Sequence, residues 1–135
     1  MTKQLSERIL SITQCHPYHT QKLAYMAWEI CYKDSQSRQP ELEAIDGLLR
    51  IHDTDYERWW NSQNKTDQKV ITGMCLSDHP PLSEPFIREY DLGATSTAYS
   101  SLKRLMSQGI VIKHQKSYAI DDPVLIAWLR QRRNL

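Results

Sequence analysis

Apolar residues recur at helical spacing along most of the chain and give way to strict alternation only once, near its end. Leu5, Ile9 and Ile12 share one face between Thr2 and about Gln14, which predicts a first helix. Cys15-His16-Pro17 breaks it: a residue before proline is pushed out of the α region, and proline then opens a new helix well. From Pro17 to about Lys33 the apolar set Leu23, Ala24, Ala27, Trp28, Ile30 and Cys31 is wide enough to predict a helix packed on two sides. Asp34 to Gln39 reads as a polar loop. Pro40, followed by Glu41 and Glu43 in a first turn, opens a third helix with the stripe Leu42, Ile45, Leu49, His52, Tyr56, Trp59 and Trp60.

At Asn61 to Lys65 the chain turns polar, the best boundary between a helical segment at 1–64 and a second domain at 65–135. Thr66 to Ser77 predicts a helix with Val70, Ile71, Met74 and Cys75 on one face, ended by Asp78-His79-Pro80-Pro81. Ser83 is placed to cap a brief helix at Glu84 to Tyr90, and Gly93 supplies a tight turn. Thr95 or Ser96 then caps a helix running to about Ser107, with Ala98, Leu102, Leu105 and Met106 inward. Gly109 fits the left-handed residue after it. Ile110 and Ile112 alternate, Lys113 to Lys116 are polar, and Tyr118 and Ile120 alternate again, which predicts a hairpin. Asp122-Pro123 starts a last helix with Val124, Leu125, Trp128 and Leu129 inward. Helix, short helix, glycine turn, helix and hairpin in this order predict a winged helix-turn-helix inside a mostly α chain.

Composition narrows the function classes. Three cysteines, Cys15, Cys31 and Cys75, at wide spacing suit reduced thiols better than a disulfide framework. No apolar run is long enough to span a bilayer and no secretory leader is visible, so a cytoplasmic protein without membrane contact is expected. The formal net charge is +1. Residues 1–65 hold 8 Lys/Arg against 9 Asp/Glu and residues 66–135 hold 9 against 7, so any basic face lies in the second half.

On that half, the helix after Gly93 turns Ser96, Thr97, Ser100, Lys103 and Arg104 outward, and the hairpin carries Lys113, His114 and Lys116. Hydroxyls early in a helix, with cations later and in the wing, are the groups that meet base edges and phosphates. A solvated helix or a protein-docking face would carry the same residues. Cys15, His16, His19 and Cys31 match no zinc-ligand spacing, and no metal site is expected. Asp53, Asp55 and Glu57 read as a solvated acidic face, and Tyr56, Trp59 and Trp60 as core or seam. No nucleophile stands beside a base in a recognisable pattern, so no catalytic residue is assigned.

Several strings then form an ordered set: Leu92-Gly93-Ala94-Thr95-Ser96-Thr97, Ser101-Leu102-Lys103-Arg104-Leu105, Gln108-Gly109-Ile110-Val111, Tyr118, and Asp121 to Leu129. Together they resemble the carboxy-terminal winged helix of archaeal-type AAA-related P-loop ATPases, which are also common in bacteria. His16-Pro17-Tyr18-His19-Thr20-Gln21-Lys22-Leu23 resembles the opening of the same family's helical lid. The resemblance implies a lid-like bundle at 1–64, a winged helix at 65–135, and an upstream ATPase core and a protein as partners. It implies His16, Pro17 and Tyr18 as neighbours of the adenine, with ATP and magnesium as cofactors of a full-length protein. The family commonly has glycines before this proline, where Gln14-Cys15 stand here. The chain contains no G-x-x-x-x-G-K-[S/T] loop and no apolar strand ending in paired acids. No cofactor is expected in the chain itself, and it should not hydrolyse ATP. A small DNA-binding regulator is the alternative.

Overall fold

A computed structural model describes residues 3–34, 36 and 39–132. The element order is α1 (Lys3–Thr13), α2 (Pro17–Lys33), α3 (Pro40–Ser62), α4 (Lys65–Leu76), α5 (Glu84–Glu89), α6 (Thr95–Ser107), β1 (Val111–His114), β2 (Ser117–Ile120) and α7 (Pro123–Arg132). The expected helix start at Thr2 and Ser35, Ser37 and Arg38 of the expected loop lie outside the described residues. The chain divides into two compact units, Met1–Tyr56 with Pro123–Trp128, and Glu57–Asp122 with Leu129–Leu135, so the division falls inside α3 and inside α7.

In the first unit α1 packs on α2 through Leu5 and Ile9, which are almost fully buried along with Leu23 and Ala27. The turn between these helices is tight. Gln14 (φ 52°) and Cys15 (φ 60°) are both left-handed, and Cys15 N–H donates to Leu10 O at 3.1 Å, the hydrogen bond of a Schellman-type helix end. Thr13 is fully buried because its hydroxyl donates to Ile9 O at 2.9 Å and pairs with the Thr20 hydroxyl at 2.7 Å. Glu41 is buried as the partner of Arg8, with Nε–Oε1 at 2.7 Å. On α3 the buried face is Ala44, Ile45, Leu48 and Leu49, while Leu42, expected in the stripe, is 47% exposed. Burial begins in the first turn at Glu41, and Leu42 stands at the edge of the face beyond Leu49, where it stays in solvent. Trp128 completes this core, donating from Nε1 to Asp53 Oδ1 at 2.8 Å.

α2 departs from expectation. Its described residues bury only the narrow stripe His19, Leu23 and Ala27. Trp28, expected inside, is half exposed. Ala24, Ile30 and Cys31 lie at the edges of the stripe and stay partly exposed.

The second unit is the winged helix. α4 begins one residue earlier than expected, because Asn64 is its N-cap and accepts from Asp67 N–H at 2.8 Å. Val70 and Ile71 of α4 meet Ala98, Leu102 and Leu105 of α6, with Phe86 of α5 fully buried beside them. Ser83 occupies the N-cap position of α5, but its hydroxyl donates to Pro80 O at 2.6 Å instead of capping. α5 ends with Asp91 at φ 52° and Leu92 N–H on Ile87 O at 3.0 Å; α6 ends the same way, with Gly109 at φ 77° and Ile110 N–H on Leu105 O at 3.0 Å. Thr95 and Ser96 both lie inside α6, whose N-cap is Ala94 without a side-chain cap, so the capping expected there does not occur. β1 and β2 pair antiparallel, Val111 opposite Ile120 and His114 opposite Ser117, around a turn at Gln115 (φ 58°) and Lys116. Val111 and Ile120 face inward and close the helical core. Among the described residues no helix is long and apolar enough to cross a membrane.

Candidate functional site

The residues singled out from the sequence fall in two places. At the start of α2, His16 is the N-cap with extended backbone (φ −66°, ψ 119°) and makes no side-chain cap. Its ring lies 4.6 Å from that of His19, and the Tyr18 ring meets His19 edge-on at 5.4 Å. The His16 Nδ1 is buried with no hydrogen-bond partner among the described residues. Pro17 and Tyr18 are exposed, and Lys22 Nζ stands 6.0 Å from the Tyr18 ring centre. An exposed phenol ring backed by histidines is able to stack on a base. Nothing within this group presents a ring of backbone N–H donors or a carboxylate pair, the groups that hold a phosphate and its magnesium. Among the described residues no three His, Cys, Asp or Glu side chains come together to hold a metal ion.

The second place is α6 with its wing. Ser96 and Ser100 are exposed, Thr97 is half buried, and Lys103 is exposed with its Nζ 5.4 Å from the centre of the neighbouring Tyr99 ring. Tyr99 itself is 45% exposed. In the wing, Lys113 stands opposite Tyr118 with its Nζ 5.5 Å from the ring centre, and Lys116 occupies the exposed turn beside His114. These groups lie on one unit and are held by the same small core.

Arg104 is placed differently. Its guanidinium grips the buried Asp67 carboxylate with both arms, Nη2 to Oδ1 at 2.7 Å and Nε to Oδ2 at 3.1 Å. The hydrogen bond to Asp67 raises the guanidinium further above its ordinary range. The buried Ser101 hydroxyl donates to the same carboxylate at 2.5 Å. Asp67 therefore ties the first turn of α4 to the middle of α6, and sets the orientation of the outward face. Asn64 to Asp67, an asparagine and an acid three residues on, is the spacing of a helix-capping pair, which is the signal that could have located it. The far end of α6 is fixed by a second polar cluster: Trp59 Nε1 donates to Gln108 Oε1 at 3.1 Å, and Gln63 exchanges hydrogen bonds with Gln108 at 3.2 and 3.3 Å. The acidic residues of α3 are not simply solvated. Glu57 accepts from Arg132 Nε at 3.3 Å, and Asp53 holds the Trp128 indole.

Cys75 is buried in the same unit, with Arg130 Nη2 donating to its carbonyl at 3.2 Å. Burial pushes its thiol up to about 11, although the nearby Arg130 charge works in the opposite direction.

No curated protein and no solved structure matches the chain. A family model described as "Probable winged helix domain" matches residues 54–131, more than half of the chain, and the chain belongs to that winged helix family.

Proposed function

We propose that this chain is the helical-lid and winged-helix segment of a P-loop ATPase, an interaction and regulatory segment with no catalytic role of its own. The observation that carries the reading is the backbone before Pro17. Gln14 and Cys15 are both left-handed. An L-residue in that region costs about 1–2 kcal/mol, and glycine avoids the cost. The ATPase family that the chain resembles commonly carries glycines there, and a left-handed turn is the conformation that glycines in those places would favour. In this reading the turn aims His16, Pro17 and Tyr18 at an adenine held by an upstream core, which supplies the phosphate loop and magnesium. The winged helix then takes up a protein partner as the domain arrangement shifts with nucleotide.

The upstream coding sequence tests it directly. A phosphate-binding loop in the same reading frame, with ATP hydrolysis by the longer product that Tyr18→Ala impairs, is the expected result. The chain alone should show no micromolar ATP binding by calorimetry. An upstream frame without such a loop, or tight ATP binding by the isolated chain, overturns the reading.

The α6 face supports a second reading, contact with duplex DNA. Ser96, Thr97 and Ser100 would approach base edges while Lys103, Lys113 and Lys116 meet phosphates. Binding should then weaken with salt, and each of Lys103, Lys113 and Lys116 changed to Ala should lower the slope of log K against log salt by about 0.9. An unchanged slope in all the lysine variants, or no binding at low salt, removes it.

A further inference from the structure

The aromatic residues of α2 lie on a face that the described residues leave uncovered. Tyr18 is 56% exposed, Tyr25 61%, Trp28 51% and Tyr32 79%. Their spacing is not arbitrary. With Gln21 they fall at successive a and d positions of a heptad, opposite the buried stripe His19, Leu23 and Ala27. Trp28 and Tyr32 already stack on each other, with ring centres 5.5 Å apart, which makes a continuous plate of aromatic surface.

The charges bordering this face say what covers it. Lys22 and Glu29 are one heptad apart, so both lie along the same flank. Lys22 sits over the Tyr18 ring, and Glu29 holds the Tyr25 hydroxyl by a hydrogen bond. Pro17, Ala24 and Cys31 border the other flank and carry no charge. Lys33 follows one turn after Glu29, and the Lys22 and Glu29 positions are complementary to themselves when a second copy runs antiparallel, because Lys22 of each chain then faces Glu29 of the other.

We propose that α2 is a self-association surface that takes a second copy of this chain in an antiparallel pair. A two-fold axis crossing the helix between Tyr25 and Trp28 sets Trp28 of one copy against Tyr25 of the other, and Gln21 against Tyr32. The same axis brings Lys22 of each copy to Glu29 of its mate on the rim. The pair buries aromatic rings under a charged edge, the usual anatomy of an interface. Each exposed aromatic offers roughly 100 Å², so the two copies together bury on the order of 1,000 Å², enough for a modest dimer. Dissociation in the region of 10 μM is expected.

Sedimentation equilibrium of the full chain between about 1 and 100 μM tests the pairing. The wild-type chain should dimerise, and Trp28→Glu should leave a monomer with an unchanged circular dichroism spectrum. Lys22→Glu and Glu29→Lys, each placing like charges together, should weaken the dimer about tenfold. The double variant Lys22→Glu/Glu29→Lys should restore it to within about threefold, and because this exchange alters only half-buried rim groups outside the core it decides the matter even where Trp28→Glu disturbs folding. A chain that stays monomeric throughout, or a dimer indifferent to the single charge changes, overturns the proposal, as does a failure of the double variant to recover.

Discussion

Replacing Asp67 by alanine removes the carboxylate that joins α4 to α6. Asp67 is 2% exposed, and it accepts from Ser101 at 2.5 Å and from Arg104 at 2.7 and 3.1 Å. Hydrogen bonds to charged groups contribute about 1.5–3 kcal/mol each, but those figures do not add here. The Arg104 side chain is 46% exposed and can turn to water once released, which returns much of its loss. Removing the carboxylate also removes the cost of burying it. Ser101 has no such escape: it is fully buried, and its hydroxyl must fall back on a helix carbonyl or stay unpaired at about 1–3 kcal/mol. The net expectation is a loss of about 2–4 kcal/mol, a large share of the stability of a domain this size. Arg104→Ala leaves the buried carboxylate with Ser101 alone and should cost about 2–3 kcal/mol. Urea unfolding followed by far-ultraviolet circular dichroism measures both at constant m-value. The double variant should fall short of the sum by at least about 1.5 kcal/mol, because its two changes break one interaction. Lys103→Ala, one residue away but outward, should stay within about 0.5 kcal/mol of wild type. Additive losses at positions 67 and 104, or an Asp67→Ala cost below about 1 kcal/mol, would show that the pair does not hold the helices together.

Other consequences are as specific. A Cβ on Gly73 would stand 2.7 Å from Phe86 Cε2 and 2.8 Å from Tyr90 Cε2, so Gly73→Ala should destabilise by about 1–2 kcal/mol despite alanine's better helix propensity; a raised melting temperature would contradict the packing of α4 on α5. Because burial raises the Cys75 thiol, the folded chain keeps its proton at pH values where the unfolded chain has lost it. Stability should be full below pH 9 and fall, by on the order of 2 kcal/mol, as pH rises toward 11, a fall that Cys75→Ala should abolish. Thiol labelling of the native protein near pH 8 should modify the exposed Cys15 well before Cys75. At Gln14, φ is 52°, so Gln14→Gly should match or exceed wild-type stability, whereas Gln14→Val should fall at least about 1 kcal/mol below the glycine variant; equal stabilities would mean the turn is not left-handed.

The winged helix was readable because each of its elements carries its own local signal. Gly109 marks a left-handed helix end, Tyr118 and Ile120 stand two apart in β2, and Leu102 and Leu105 repeat at helical spacing. In β1, however, the alternation points to Ile110 and Ile112, whereas Val111 between them is buried and Ile112 is 44% exposed. The left-handed helix ends at Gln14 and Asp91 left no mark, since neither residue is glycine; the hydrogen bonds from Cys15 N–H to Leu10 O and from Leu92 N–H to Ile87 O close those helix ends. Trp28 and Leu42 misled for a different reason. Apolar identity reports a preference for burial, while the face that is buried depends on neighbours the sequence does not name. In the candidate site, the outward position of Ser96, Thr97, Ser100 and Lys103 follows from helical period alone. Arg104 shares that period, yet its partner sits thirty-seven residues earlier, at Asp67. A long-range pair of this kind is invisible to any local pattern.

That pair also changes what the charge of the second half means. Its excess of Lys/Arg over Asp/Glu invites a polyanion-binding reading, but the arginines among its described residues are engaged. Arg88 pairs with Glu84, Arg104 with Asp67 and Arg132 with Glu57, while Arg130 donates to the Cys75 carbonyl. Arginine is the residue suited to bidentate recognition of phosphate or guanine, and these guanidiniums are committed within the unit. The cations left on the α6 and wing face are the lysines at 103, 113 and 116, and Lys103 and Lys113 each lie against a tyrosine ring. Exposed lysines of this kind lend a surface solubility and modest electrostatic attraction, with little geometric discrimination among bases. Tyr99 and Tyr118, half exposed beneath them, are better suited to burial against another protein, since Tyr brings large contact area at low entropic cost. The cations that remain on the α6 and wing face are lysines, so DNA contact through this face would rest on a salt response carried by lysine alone.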